Sequence, residues 1–194
     1  MNIVTDVVRV VHIITAVLMA WPFYALVAVN QRALLGPPLG DRTDVYIENI
    51  VKNRTVPCFV FQATALLSGI ALVYLEGVGL GALLTNPILA AKLVLLLFIG
   101  GLLLYVHFRV QPRLDALFAQ VGAAAPDDVA PRIGALRLLR KRFASLCTFV
   151  VLTVCMLGVQ VWTPFPLWLT VVLIAAIVVF TWRAFKSATP YGWA

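Results

Sequence analysis

The sequence predicts an all-α fold: a polytopic transmembrane helix bundle of five spans, N-terminus outside and C-terminus inside. Composition, span length and the charge of the loops each point to it. Of the 194 residues, 62% are hydrophobic and 12% are charged. A soluble domain carries about 45–50% apolar and about 25% charged residues. A chain this apolar cannot cover itself with polar surface, so lipid is the solvent for most of its exterior. Five stretches, near 7–29, 56–76, 87–108, 143–162 and 165–183, match the about 20 apolar residues that a spanning helix needs. Between them the charge alternates. Arg32, Arg42, Lys52 and Arg54 follow the first span, and residues 77–86 carry no Lys or Arg. Arg109, Arg113, Arg132, Arg137, Arg140, Lys141 and Arg142 follow the third. The Thr163-Pro164 turn carries none, and the tail carries Arg183 and Lys186. Cytoplasmic loops hold the Lys/Arg excess, which sets the orientation expected of an inner-membrane protein.

Each element follows in order. Span one lacks a basic leader and a small-residue cleavage site, so it reads as a retained span. Pro22 predicts a kink there and a carbonyl freed near Leu18. Ala65 with Gly69, and Gly100 with Gly101, predict close helix approaches. Trp162 and Trp168 bracket the outer turn and Trp182 marks the inner end of span five, as an interfacial belt would. The loop 109–142 is the one sizeable extramembrane piece of a single domain covering 1–194. Pro126-Asp127-Asp128 predicts a helix start. The basic, amphipathic stretch 126–142 that follows runs straight into span four; it is a face for anionic headgroups, or a docking surface for another copy or another membrane subunit.

Other classes are excluded. The net charge of +7 lies in these loops and signals topology, not nucleic acid. Cys58, Cys147 and Cys155 all fall in apolar segments without a CxxC, so there is no disulfide framework and no zinc motif.

Ionisable residues within the membrane are costly and mark candidate sites. Here they are Arg9, His12, Glu76, Lys92 and His107. His12 and Lys92 lie just below the outer ends of spans one and three, while Glu76 and Gln160 close spans two and four on the same side. These four form one outer layer. Arg9, a turn above His12, is placed to pair with Asp6. His107 lies roughly 22 Å deeper than Lys92, level with Cys58 and Cys147. Two readings apply there: a soft-metal cluster, or plain buried thiols. The same depth gap excludes one haem held between both histidines. It leaves a haem b or a porphyrin held by a single histidine. Lys92 either snorkels to the interface or pairs with an anionic ligand such as a propionate. His12 either serves a ligand or bonds a backbone carbonyl.

Span one reads His12-Ile13-Ile14-Thr15-Ala16-Val17, then Trp21 and Phe23-Tyr24. Span three opens Ala91-Lys92-Leu93 and is followed by Arg109 and Pro112-Arg113-Leu114. This pattern resembles the small bacterial membrane proteins that include the HemJ-type protoporphyrinogen oxidases and the CopD-type copper-resistance proteins. The resemblance covers spans one to four. It implies a haem- or porphyrin-handling membrane oxidoreductase with His12 and Lys92 as functional residues, joined by Glu76 and His107 as cofactor-binding candidates. The reaction implied is porphyrinogen oxidation with electrons passed to a quinone. The alternatives are a non-catalytic subunit of a larger redox complex and copper transport. Copper transport would need several Met, His or Cys ligands in a path, and Met1, Met19 and Met156 lie at unrelated depths.

Overall fold

The computed structural model describes residues 3–25, 42–52, 55–121 and 128–186. Among them all regular structure is helical, and five helices are long and apolar enough to cross a membrane. The chain is a multi-pass membrane protein. Arg32, Arg54, Pro126, Asp127 and the part of span one beyond Ala25 lie outside the described residues.

Helix α1 runs Ile3–Leu18, starting four residues before the predicted Val7. It breaks at Met19-Ala20 and residues 21–25 resume helix. Pro22 causes the break: it has no N–H, and its ring crowds the carbonyl four residues back. The backbone tightens there, with Ala20 N bonded to Val17 O at 3.0 Å and Phe23 N to Ala20 O at 2.9 Å.

The short polar helix α2 (Arg42–Lys52) precedes α3 (Thr55–Leu75). Gly77, at φ 71, ends α3. Val78 N bonds Val73 O at 3.2 Å and Gly77 N bonds Tyr74 O at 3.1 Å, which satisfies two terminal carbonyls in a left-handed cap. The single-turn helix α4 (Ala82–Thr85) then leads to α5 (Pro87–Tyr105). Asn86 caps α5, its side-chain oxygen accepting from Ile88 N at 2.9 Å and Leu89 N at 3.3 Å. Pro87 sits where a missing N–H costs nothing.

The third span does not stop at 108. It passes through a π-helical turn, Val106–Val110, into α6 (Gln111–Phe118). Pro112 cannot donate to the Phe108 carbonyl, and the wider turn, with Gln111 N bonded to Val106 O, absorbs that defect. Helix α7, Val129–Trp162, starts just after the predicted Asp128 and runs unbroken through the basic stretch into span four, and α8 spans Leu167–Lys186. Asp128 precedes α7 as predicted but makes no side-chain cap. It pairs instead with Arg132 at 3.2 Å, one turn on.

In the bundle α1 packs on α3, α3 on α5, α5 on α7 and α7 on α8. The Cys155 thiol reaches the Ala16 carbonyl at 3.9 Å, so α7 also meets α1 and four helices close a ring. Helix α8 lies outside that ring. Buried Ala65, Leu96, Ile99, Leu103, Val150 and Val151 form the membrane core. Leu67, Val94, Leu97, Val171 and Val179 are exposed, which suits a surface solvated by lipid. Of the predicted small-residue contacts, Gly69 and Gly100 are real. A Cβ on Gly100 would stand 2.7 Å from Gln62 Nε2, which donates to Leu96 O at 2.6 Å. A Cβ on Gly101 would meet nothing within 4 Å, so that glycine brings no helix close.

At the Arg-rich end a second small core joins α6 to α7 through Leu114, Leu117, Val129 and Ile133. Beside it runs a polar network. The Arg140 guanidinium forks onto both carboxylate oxygens of Glu48, the second at 2.9 Å, and also donates to Gln111 Oε1 at 3.1 Å. Arg137 reaches Glu48 at 3.3 Å, and Lys52 reaches Asp115 at 3.1 Å. Glu48 and Arg140 are 6% and 7% exposed, so the pair is desolvated. These arginines of the predicted basic face therefore turn inward, onto α2.

Candidate functional site: a cavity ringed by four helices

Helices α1, α3, α5 and α7, with Val78, Leu83 and Asn86 from the α3–α5 connection, line a half-open cavity of about 500 Å³ near the Trp162 end. This lies within the usual range for a cofactor or small-molecule site, about 300–1,000 Å³. Its walls are mostly apolar, with Leu66, Ile70, Leu93, Leu96 and Val154 among them. His12, Glu76 and Lys92 all line it, together with Arg9 and Met19. The layer read from depth along the spans is thus assembled around one space. Gln160 is the exception: its amide donates to Thr170 Oγ1 on α8, away from the cavity.

His12 is held from α3. Its Nδ1 lies 2.9 Å from Ser68 Oγ, and Ser68 Oγ lies 2.6 Å from the Thr64 carbonyl. A hydroxyl has one proton. Ser68 gives it to Thr64 and so accepts from His12 Nδ1–H. The ring nitrogen left with a lone pair is Nε2, the arrangement of a ligating or proton-accepting histidine. The ring also meets a backbone carbonyl, as one of the two readings expected, but it is that of Ala65 on α3 and not one freed by Pro22. Gly69 makes room for the ring, because a Cβ there would stand 3.2 Å from His12 Cε1.

Lys92 comes from α5 and is half-buried. Its Nζ lies 3.5 Å from where a Cβ on Gly158 would stand, so α7 thins at that point to admit the ammonium. Among the described residues Lys92 has neither an ion pair nor a hydrogen bond. Glu76 does not answer it, being engaged by Arg9 Nη2 at 3.0 Å.

Arg9 does more than the predicted pairing. It meets Asp6 at 3.2 Å as expected, but also Glu76 on α3 and, at 4.5 Å, the face of Trp162 at the end of α7. One guanidinium thereby ties three helix ends together at the cavity's rim. A buried-face arginine one turn above a histidine was the signal available in the sequence; its partner 67 positions away was not.

His107 is not part of this site. Its Nδ1 lies 2.9 Å from Thr55 Oγ1, and its ring stands edge-on to Phe59 and Phe108. Cys58 and Cys147 are buried in the membrane core. Among the described residues no three His, Cys, Asp or Glu side chains gather into a possible metal site, so the soft-metal cluster at the His107 level does not form.

The cavity thus combines one imidazole, one ammonium without an ion pair among the described residues, and apolar walls. No protein-family model, no curated protein and no solved structure matches the chain.

Proposed function

We propose that this cavity binds a haem or porphyrin, and that the protein is a HemJ-like oxidoreductase of the bacterial cytoplasmic membrane, oriented N-out/C-in. One observation carries the reading: His12 and Lys92, from separate spans, face one intramembrane cavity without answering each other. Lys92 holds a propionate there, and His12 presents Nε2 to the macrocycle as ligand or proton acceptor. A bound haem would supply electron transfer. If porphyrinogen is the substrate, its oxidation releases electrons and protons in equal number, with a membrane quinone as the electron acceptor. The apolar walls keep water out, and the Arg9–Glu76–Trp162 rim covers the outer side.

The test is a reduced-minus-oxidised visible spectrum of the purified protein, with pigment extraction. A Soret band is expected, lost or displaced in His12→Ala. Lys92→Ala removes a charge-assisted contact of about 1.5–3 kcal/mol, so tetrapyrrole affinity should fall about 10- to 100-fold with the band position kept. A wild-type protein without extractable tetrapyrrole, and unable to take one up, would end the reading.

A further inference from the structure

A second concave surface lies on the opposite end of the molecule, between α7 and α8. It is a groove of about 220 Å³ lined by Leu146, Phe149, Val178, Trp182 and Phe185. Two hydroxyls also reach it, but both are spent on their own helices. Ser145 donates to Lys141 O at 3.1 Å and Thr181 donates to Ile177 O at 2.8 Å. The groove therefore presents apolar surface to whatever lies in it. The exposed cations stand at its mouth. The Arg142 guanidinium sits 5.5 Å from the Phe185 ring centre, and Lys186 Nζ sits 4.9 Å from that of Trp182. The two rings are stacked, 5.9 Å apart and 6° from parallel. One aromatic shelf thus ends the groove and carries both charges. Arg183 stands exposed beside them.

Among the described residues none of these cations has an ion pair. No Asp or Glu occurs anywhere after Asp128. A rim of cations at the interface, joined to an apolar groove at acyl depth, matches a molecule with a negative head and a hydrocarbon tail. We infer that the α7–α8 groove is a binding site for one anionic phospholipid, with an acyl chain along Leu146 and Phe149 and the phosphate between Arg142 and Lys186. The site is independent of the cavity at the Trp162 end.

The full chain is reconstituted in phosphatidylcholine vesicles containing brominated phosphatidylglycerol or, at equal mole fraction, brominated phosphatidylcholine. Bromine quenches nearby tryptophan fluorescence. Stronger quenching by the anionic lipid is expected, and Trp182→Phe should remove that excess. Each cation near a charged surface is worth about 1 kcal/mol, or about fivefold in association. Arg142→Ala with Lys186→Ala should therefore cut the preference by on the order of 20-fold. Leu146→Phe, which narrows the groove, keeps the cations and adds no tryptophan, should lower it too. Equal quenching by both lipids would overturn the site, and would point to a protein partner in the groove. A preference that survives the double variant would overturn it as well.

Discussion

Replacing Glu48 by Ala should destabilise the protein by about 3–5 kcal/mol, the usual cost of stranding one half of a buried ion pair. Arg140 is 7% exposed, and its fork onto Glu48 is the contact that satisfies its charge. Among the described residues Gln111 Oε1 is then the acceptor left to Arg140, and an amide cannot neutralise a guanidinium. The measurement is the thermal midpoint in mild detergent. The double variant Glu48→Ala/Arg140→Ala should recover much of the loss, because partners in one network are not additive. Equal midpoints for Glu48→Ala and wild type would show that water reaches the pair. Limited proteolysis adds a local readout: α2 is tied to α6 and α7 through Glu48 and Lys52, so cleavage within Arg42–Lys52 should accelerate.

The second large effect is expected from Gly69→Leu. A Cβ alone would press on His12 Cε1 at 3.2 Å, and the rest of a leucine side chain would crowd the imidazole or fill the cavity that Gly69 also lines. Overpacking of this kind costs about 1–3 kcal/mol, small enough for the bundle to persist. Tetrapyrrole uptake should nevertheless fall as far as in His12→Ala. Ser68→Ala provides the contrast. It frees His12 Nδ1 without filling space, so a pigment should still bind, with a shifted Soret band or an altered pH profile. Uptake unchanged in Gly69→Leu would show that His12 does not serve the cavity.

The spans were legible because hydropathy and loop charge act locally. Lys92 and His12 could be set at one depth for the same reason: depth along a helix is a count of residues. Rotation about the helix axis is not, and the cavity depends on it. Gln160 has the right depth and the wrong azimuth, so it bonds α8. The span ends were misread where a proline intervened. The third apolar run was ended at 108, yet a π turn carries the helix on past Pro112. Long-range pairings such as Arg9 with Glu76, or Arg140 with Glu48, are set by tertiary packing and leave no trace in spacing. Two signals did go unread: Ser68, a hydroxyl beside the Gly69 already read as a close approach, and Gln62, an amide in the middle of the same span. Each serves a neighbouring helix.

The π turn at Val106–Val110 has a further consequence, one of phase. An α-helix turns each residue by about 100°, and the turn inserts extra backbone between two α-helical stretches. Everything beyond it is rotated relative to the membrane portion of α5. In this rotated setting Leu114 and Leu117 meet Val129 and Ile133, while Gln111 and Asp115 face the Arg140 network. A regular helix from Pro87 to Phe118 could satisfy the lipid-embedded bundle or the extramembrane core, but not both. The turn acts as a gear between two differently timed surfaces, and a one-residue deletion there would mesh α5 correctly while turning the teeth of α6 toward solvent.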